Sequence, residues 1–401
     1  MTLTTRGSTS VDAALLHAAS QRAITRAVED LWPDRTVVLG PQCPSVTSYV
    51  CRVTVDQEEV IAKYSWLGLS LVSVLRGAGG SWEKVQAAQA EYVNSTELLT
   101  AREGQNLALL RKLGRLRVCD TAGVHGGVLL TRPAPGVALA DVLSARPGET
   151  GAFLTATLLA VAELHGPSGA RALRDAAPIR ERSVAGVFRR KFDGPGTTAY
   201  LRALGRDSGL PEPERLEVIE LVQNAAGRLL RLAAAISPRR DTAVFGDLKP
   251  EHVFLDGHRF TFIDPAVQWA AGPQPDVAKL AGRALLLALG HPQRDAGRQI
   301  VHGVASALTR HAAGLPANGR AAYLREVMVL WLMDTVSILT TCLSAPPGLP
   351  LAPHQQALIG RARKVAQVVD RVSAFLVGST AGLRLLDTVL SEVERAAGST
   401  R

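Results

Sequence analysis

Residues 244–266, VFGDLKPEHVFLDGHRFTFIDPA, restrict what this chain can fold into more than any other stretch. Two short apolar runs, 252–255 and 260–263, flank Asp256-Gly257, a dipeptide that closes tight hairpin turns. Asp247 and His252 stand before the hairpin and Asp264 follows it. Folding the hairpin back therefore brings Asp264 toward Asp247 and His252. Carboxylates placed this way suit phosphoryl transfer. One orients the attacking hydroxyl and accepts its proton; the other ligates a metal that bridges nucleotide phosphates.

Upstream, residues 11–31 read as an amphipathic helix with Ser10 as its cap, broken by Trp32-Pro33-Asp34. Apolar runs at 36–39, 48–55 and 60–64, punctuated at 40–44 and 56–59, read as three antiparallel strands. A segment at 66–92 interrupts, with Gly77-Ala78-Gly79-Gly80 as its hinge; a helix at 98–113 and short strands at 115–118 and 127–130 follow. Past Arg132-Pro133-Ala134-Pro135-Gly136 the pattern turns helical, with strong helices at 152–165 and 212–236. At 401 residues the chain is long for one core. The fold class expected is α+β: a small antiparallel sheet lobe with one helix, then a large, mainly helical lobe that holds one short hairpin.

The segment 244–266 resembles the catalytic loop and metal-binding strand of the protein-kinase-like superfamily, in the form used by aminoglycoside phosphotransferases and choline kinases. Gly246-Asp247 matches that family's catalytic loop, Ile263-Asp264-Pro265 its metal strand, and Asp276-Val277-Ala278 the aspartate that braces the loop. Val60-Ile61-Ala62-Lys63 resembles the strand whose lysine grips the nucleotide phosphates. Glu103, on the following helix, can pair with Lys63, although Glu97 and Asn106 compete for that role. Residues 132–136 resemble the hinge, where the Arg132 carbonyl and Ala134 amide would bond the adenine edge, and Leu164-His165 closes a helix as the family's Leu-His does. The resemblance runs in order from about residue 40 to residue 285. It implies a bilobal kinase-like fold: a helical extension at 1–33, a nucleotide-binding lobe at 34–131 with an insertion at 66–95, and a helical lobe at 132–401 with the catalytic and substrate sites. The implied cofactors are ATP, with GTP possible in its place, and Mg2+, with Mn2+ as the alternative.

Three positions depart from the pattern. Phe245 replaces the histidine before Gly-Asp. His252 stands where asparagine usually ligates the second metal; it is either a metal ligand or a hydrogen-bonding loop residue, and magnesium prefers oxygen. The loop expected over the nucleotide, residues 40–45, has one glycine, leaving Ser45 and nearby amides to meet the β-phosphate. These departures keep a second reading open, a pseudokinase or nucleotide-binding regulator.

Asp-Leu-Lys-Pro-Glu also reads as a protein-kinase loop, in which Lys249 would contact the transferred phosphate. Gly246 in place of an arginine, and the short span from Asp264 to Asp276, oppose a protein kinase and favour a small acceptor. From Asp276 onward there are eight Asp/Glu against fourteen Lys/Arg, the wrong field for a polycationic aminoglycoside. The acceptor expected is a neutral or anionic hydroxyl compound, a metabolite or another antibiotic. The segment 66–92 and the basic stretch 171–191 either shape its pocket or pack as structural elements.

The net charge of +9 attracts anions, yet residues 180–191 alternate basic with apolar residues as a solvated helix face does, and no nucleic-acid partner is expected. Four cysteines without a CxxC spacing, and a first decapeptide without an apolar signal core, point to a reduced, cytoplasmic chain. The most apolar stretch, 327–343, carries Asp334 and is followed by Pro346-Pro347; a buried helix is expected there, and no membrane partner.

Overall fold

The protein is described by a computed structural model over residues 11–114, 116–237, 239–378 and 384–398. It divides into two compact units. The smaller comprises the chain up to Gly104, Asp120–Pro133 and Ser344–Ala352; the larger comprises Gln105–Cys119, Ala134–Leu343 and the chain from Pro353 onward.

In the small unit, helix α1 (Ala13–Leu31) precedes strands β1 (Val37–Gln42), β2 (Tyr49–Val55) and β3 (Glu58–Tyr64). Helices α2 (Leu71–Leu75) and α3 (Trp82–Val93) follow, then α4 (Leu99–Lys112), whose residues from Gln105 onward belong to the larger unit, and the strands β4 (Thr121–His125) and β5 (Val128–Thr131). The five strands form one antiparallel sheet in the order β1-β2-β3-β5-β4. Alternation builds its inner face: Tyr49, Cys51, Val53 and Val55 of β2 are buried while Arg52 points out. A single stripe of α1, Leu16, Ser20, Ile24, Ala27 and Val28, packs into the same core. Asp12 caps α1, its carboxylate accepting from the Ala14 amide at 2.8 Å; Ser10, the cap expected from sequence, lies outside the described residues. Trp66, whose indole N–H donates to Ser20 Oγ at 2.9 Å, and Leu71, Val74, Leu75 and Val85 bring the segment after β3 into this core. That segment is integral packing. Ala345 and Leu349, from a distant part of the chain, complete the cluster.

Two local expectations fail here. Gly40 does not open a loop: β1 continues through Gly40-Pro41 to Gln42, because a bulge between Leu39 and Gln42 absorbs the proline, which has no N–H for the ladder. The strand expected at 115–118 reduces to one bridge between Val118 and Phe262, and Arg115 is outside the described residues. The strand that pairs with β5 is β4, which is mostly part-exposed or exposed and so lacks the alternation by which strands are read.

In the large unit, β6 (Val137–Ala138) leads into α5 (Leu139–Ala145), α6 (Thr150–Val161), α7 (Pro167–Arg174), α8 (Val184–Phe192), α9 (Thr197–Ala203) and α10 (Glu212–Ala233). Strands β7 (Thr242–Val244), β8 (Val253–Asp256), β9 (Arg259–Phe262) and β10 (Gln268–Ala270) come next. Helices α11 (Gln274–Gly290), α12 (Arg294–Ala312), α13 (Ala317–Leu343), α14 (Pro353–Ile359), α15 (Ala362–Gly378) and α16 (Arg384–Gly398) complete it. The expected hairpin is β8–β9, with β6 added beside β8, while β7 and β10 form a separate pair. Among the described residues α13 is the one helix long and apolar enough to cross a bilayer, but 89% of its most apolar stretch is buried inside the fold. It packs against α11, α15, α8 and α10. The basic stretch serves this packing too: Val184, Phe188 and Phe192 of α8 are buried, and Lys191 Nζ donates to the Ser337 carbonyl of α13 at 2.7 Å.

Candidate functional site

The loop that carries Asp247 is shaped by its glycine. Gly246 has φ +83°, and a Cβ there would sit 2.1 Å from the Ala266 carbonyl oxygen and 2.5 Å from Gln268 Nε2. No side chain fits, so the arginine of protein kinases is excluded at this position by space as well as by backbone conformation. Gly246→Ala is expected to destabilise the large unit by about 2–4 kcal/mol, the sum of left-handed strain and overpacking. A denaturant titration showing no loss would contradict this close approach.

Asp276, fully buried at the start of α11, fastens the loop. Its Oδ2 accepts from the Phe245 amide and its Oδ1 from the Gly246 amide, each at 2.7 Å, and His165 Nε2 stands 2.8 Å from Oδ2. Phe245, where a histidine was the familiar residue, is fully buried with its ring centroid 5.9 Å from that of Phe262. It contributes packing where a histidine would have contributed hydrogen bonds.

After Pro250 the chain makes one tight turn, Pro250–His252, which points His252 back at the loop. His252 Nδ1 is 3.1 Å from the Asp247 carbonyl oxygen and 3.4 Å from Asp247 Oδ2; its Nε2 is 3.4 Å from Asp264 Oδ2. The carbonyl can only accept, so Nδ1 carries the hydrogen and donates. Burial pulls the His252 pKa down to about 4, with Lys249 adding to the effect, so the ring is neutral at physiological pH. Its Nε2 lone pair therefore faces a carboxylate oxygen. Asp264 itself adopts a left-handed backbone, φ +54°, uncommon outside glycine and characteristic of built sites.

Asp247 has a partner that sequence reasoning missed. Lys279 Nζ lies 2.5 Å from Asp247 Oδ1, and Lys249 Nζ lies 3.5 Å from Oδ2. Burial alone would push the Asp247 carboxyl up, but the charges of Lys249, Lys279 and Arg182 outweigh it and hold the group well below the ordinary carboxylate range. Lys279 is also 3.8 Å from Asp334 Oδ1, and Arg283 Nε is 2.7 Å from Asp334 Oδ2. A chain of buried charges thus runs from Asp247 through Lys279 and Asp334 to Arg283. Its signal was present: Asp276, Lys279 and Arg283 share one face of a helix whose remaining residues are mostly apolar.

In the small unit, Lys63 on the central strand β3 is 5% exposed, with Nζ 2.8 Å and 2.7 Å from the two Glu103 carboxylate oxygens. Glu97, which competed for this pairing, is exposed and lies 3.6 Å from Arg102. Ser45 lies in the β1–β2 connection, where its Oγ accepts from the Thr47 and Ser48 amides at 3.4 and 3.3 Å, a local turn. Arg132 lies next to the end of the small unit's second segment, its side chain 2.9 Å from Glu58 and its amide bonded to the Asp120 carbonyl; Ala134 begins the next segment of the large unit. Lys63, Glu103, Ser45 and Arg132 therefore belong to one unit, and Ala134, Asp247, Lys249, His252 and Asp264 to the other.

No group of three or more His, Cys, Asp or Glu side chains with metal-holding geometry occurs among the described residues. Asp264 and His252 offer two donors. That number suits a cation whose remaining ligands are nucleotide phosphates and water, as is usual for magnesium. The unprotonated Nε2 facing Asp264 Oδ2 is itself an arrangement that a cation between them would relieve.

No protein-family model matches the chain, and no curated protein matches it in sequence. Among solved structures, it is similar to a choline/ethanolamine kinase family protein from Mesorhizobium loti, at 16% identity over 95% of this chain and 99% of that one, TM-score 0.47. An amicoumacin kinase in complex with AMP-PNP, Ca2+ and Ami is similar at 12% identity over 88% and 95%, TM-score 0.47. An aminoglycoside phosphotransferase, APH(4)-Ia, is similar at 13% identity over 88% and 98%, TM-score 0.45. At such values the chain's own parts must decide its fold. The chain itself combines, in one unit, a five-stranded antiparallel sheet with a buried Lys–Glu pair and, in the other, a glycine-bent aspartate loop braced from α11 and a hairpin that returns a second aspartate, the parts expected from the resemblance in its sequence.

Proposed function

We propose that this chain is a small-molecule kinase, moving the γ-phosphoryl group of ATP to a hydroxyl of a neutral or anionic compound. One observation carries the reading: a neutral imidazole, His252, held 3.4 Å from Asp247 on one side and 3.4 Å from Asp264 on the other. Asp247, kept anionic by its cationic neighbours, accepts the hydrogen bond of the acceptor hydroxyl and takes its proton as the bond to phosphorus forms. Lys249 stands beside it, in reach of the group in transfer. Asp264 and His252 would hold a divalent cation, Mg2+ or Mn2+, which when bound neutralises phosphate charge. In the small unit Lys63, oriented by Glu103, is the group proposed for the nucleotide phosphates, and Ser45 and the backbone of Arg132 and Ala134 keep the nucleotide-contacting roles that the sequence resemblance implies. A buried ion pair is a poor source of stability, so the Lys63–Glu103 pair is better accounted for by this role than by folding.

A specific contact favours a second reading. Lys279 occupies one oxygen of Asp247, and a protein that binds nucleotide without turnover could retain such a lock. Release of ADP, followed across a panel of hydroxylated metabolites and antibiotics with Mg2+ and with Mn2+, separates the two. Acceptor-dependent ADP release is the expected result. Nucleotide binding without turnover under either metal would replace the kinase by a nucleotide-binding regulator.

A further inference from the structure

We infer that the large unit contains a second ligand site, a cavity that takes a small apolar amine against the carboxylate of Glu251. The cavity has a volume of about 350 Å³ and lies among α5, α11, α13, α14 and α15. Leu286, Leu287, Ile338 and Leu358 give it apolar walls, and Glu251 enters it from the turn Pro250–His252. Its size falls within the range of small-molecule pockets, which pair an apolar lining with a few placed polar groups. Neither Asp247 nor Asp264 lines it, so it is distinct from the site proposed for transfer.

Glu251 identifies the ligand's polar end. Its Oε1 is 3.5 Å from His354 Nε2, but Oε2 is buried and no hydrogen-bond donor among the described residues reaches it. Native folds rarely leave such an oxygen unmatched. Of the arginines in the same wall, Arg283 acts on Glu251 by its charge but donates through Nε to Asp334 at 2.7 Å, and Arg361 donates to the Leu289 carbonyl at 2.8 Å. A carboxylate can only accept, so the missing partner is a donor, and an ammonium supplies that hydrogen in a charge-assisted bond. The apolar walls require that the rest of the molecule be apolar. An occupant would touch the turn that also carries Lys249 and His252.

The test is calorimetric titration of the full chain with phenethylamine, phenethyl alcohol and hydrocinnamate, which share a size and differ in the end group. The amine is expected to bind about tenfold more tightly than hydrocinnamate, with the alcohol between them. Ala357→Trp, which fills the cavity, is expected to abolish binding, with Leu287→Phe used in its place if the first variant melts early. Glu251→Gln is expected to weaken the amine at least about fivefold while leaving the alcohol within about twofold. Absence of amine binding, a preference for hydrocinnamate, or undiminished binding to the filled variant would overturn the site.

Discussion

Asp247→Asn is expected to lower phosphoryl transfer by about a thousandfold, the scale of removing a positioned general base. Asparagine keeps the size of the side chain and one acceptor oxygen but cannot take a proton. Nucleotide affinity should stay within about threefold, so that the loss falls on kcat. The environment sharpens the expectation. Three cations hold Asp247 well below the ordinary carboxylate range, so in the proposed reaction the wild-type group is ready at neutral pH to accept the acceptor hydroxyl's hydrogen bond. The variant also leaves the Lys279 ammonium facing a neutral amide, with Asp334 at 3.8 Å as a remaining carboxylate beside it, so a thermal melt must accompany the kinetics. A folded variant with unchanged turnover would remove Asp247 from the mechanism.

Asp276→Ala is expected to have the largest effect on stability, about 3–5 kcal/mol, because it strands buried donors rather than deleting a contact. The buried Phe245 and Gly246 amides each lose their 2.7 Å acceptor, and the part-buried His165 loses its 2.8 Å partner. For a unit of this size the change corresponds to roughly 10 °C in melting temperature. Asp276→Asn, which retains one acceptor oxygen, should cost less than half as much. Urea denaturation of the two variants checks the order, and equal losses would mean that burial volume rather than loop bonding sets the value.

Much of this site can be read from the chain because its parts are local. Asp247, His252 and Asp264 lie within one hairpin's length, and the apolar run around Lys63, bounded by polar punctuation at 56–59, marks its strand. The hairpin's folding back follows from its turn dipeptide alone. What escapes reading is what depends on distant partners. The charged face of α11 is visible in sequence, but the partner of Lys279 is not until α11 packs it beside Asp247, thirty-two positions earlier. Gly40-Pro41 carries strong turn signals, yet pairing of β1 with β2 keeps it in a strand through a bulge. β4 shows no apolar alternation because much of it is exposed, and its assignment comes from β5. Local chemistry therefore announces the reacting groups, while the groups that tune them are set by packing.

The short return of Ser344–Ala352 to the small unit has a consequence for how the chain acquires its structure. Ala345 and Leu349 pack with Leu16, Tyr49 and Trp66, residues roughly three hundred positions earlier. During synthesis the sheet emerges long before the piece that seals its core. Until then it must persist with an apolar surface open to water and to other chains, the condition under which chaperones act. Contacts of such sequence separation also raise contact order and slow folding. A gene fragment ending before residue 344 would thus encode a small unit whose core is unsealed, however complete its motifs.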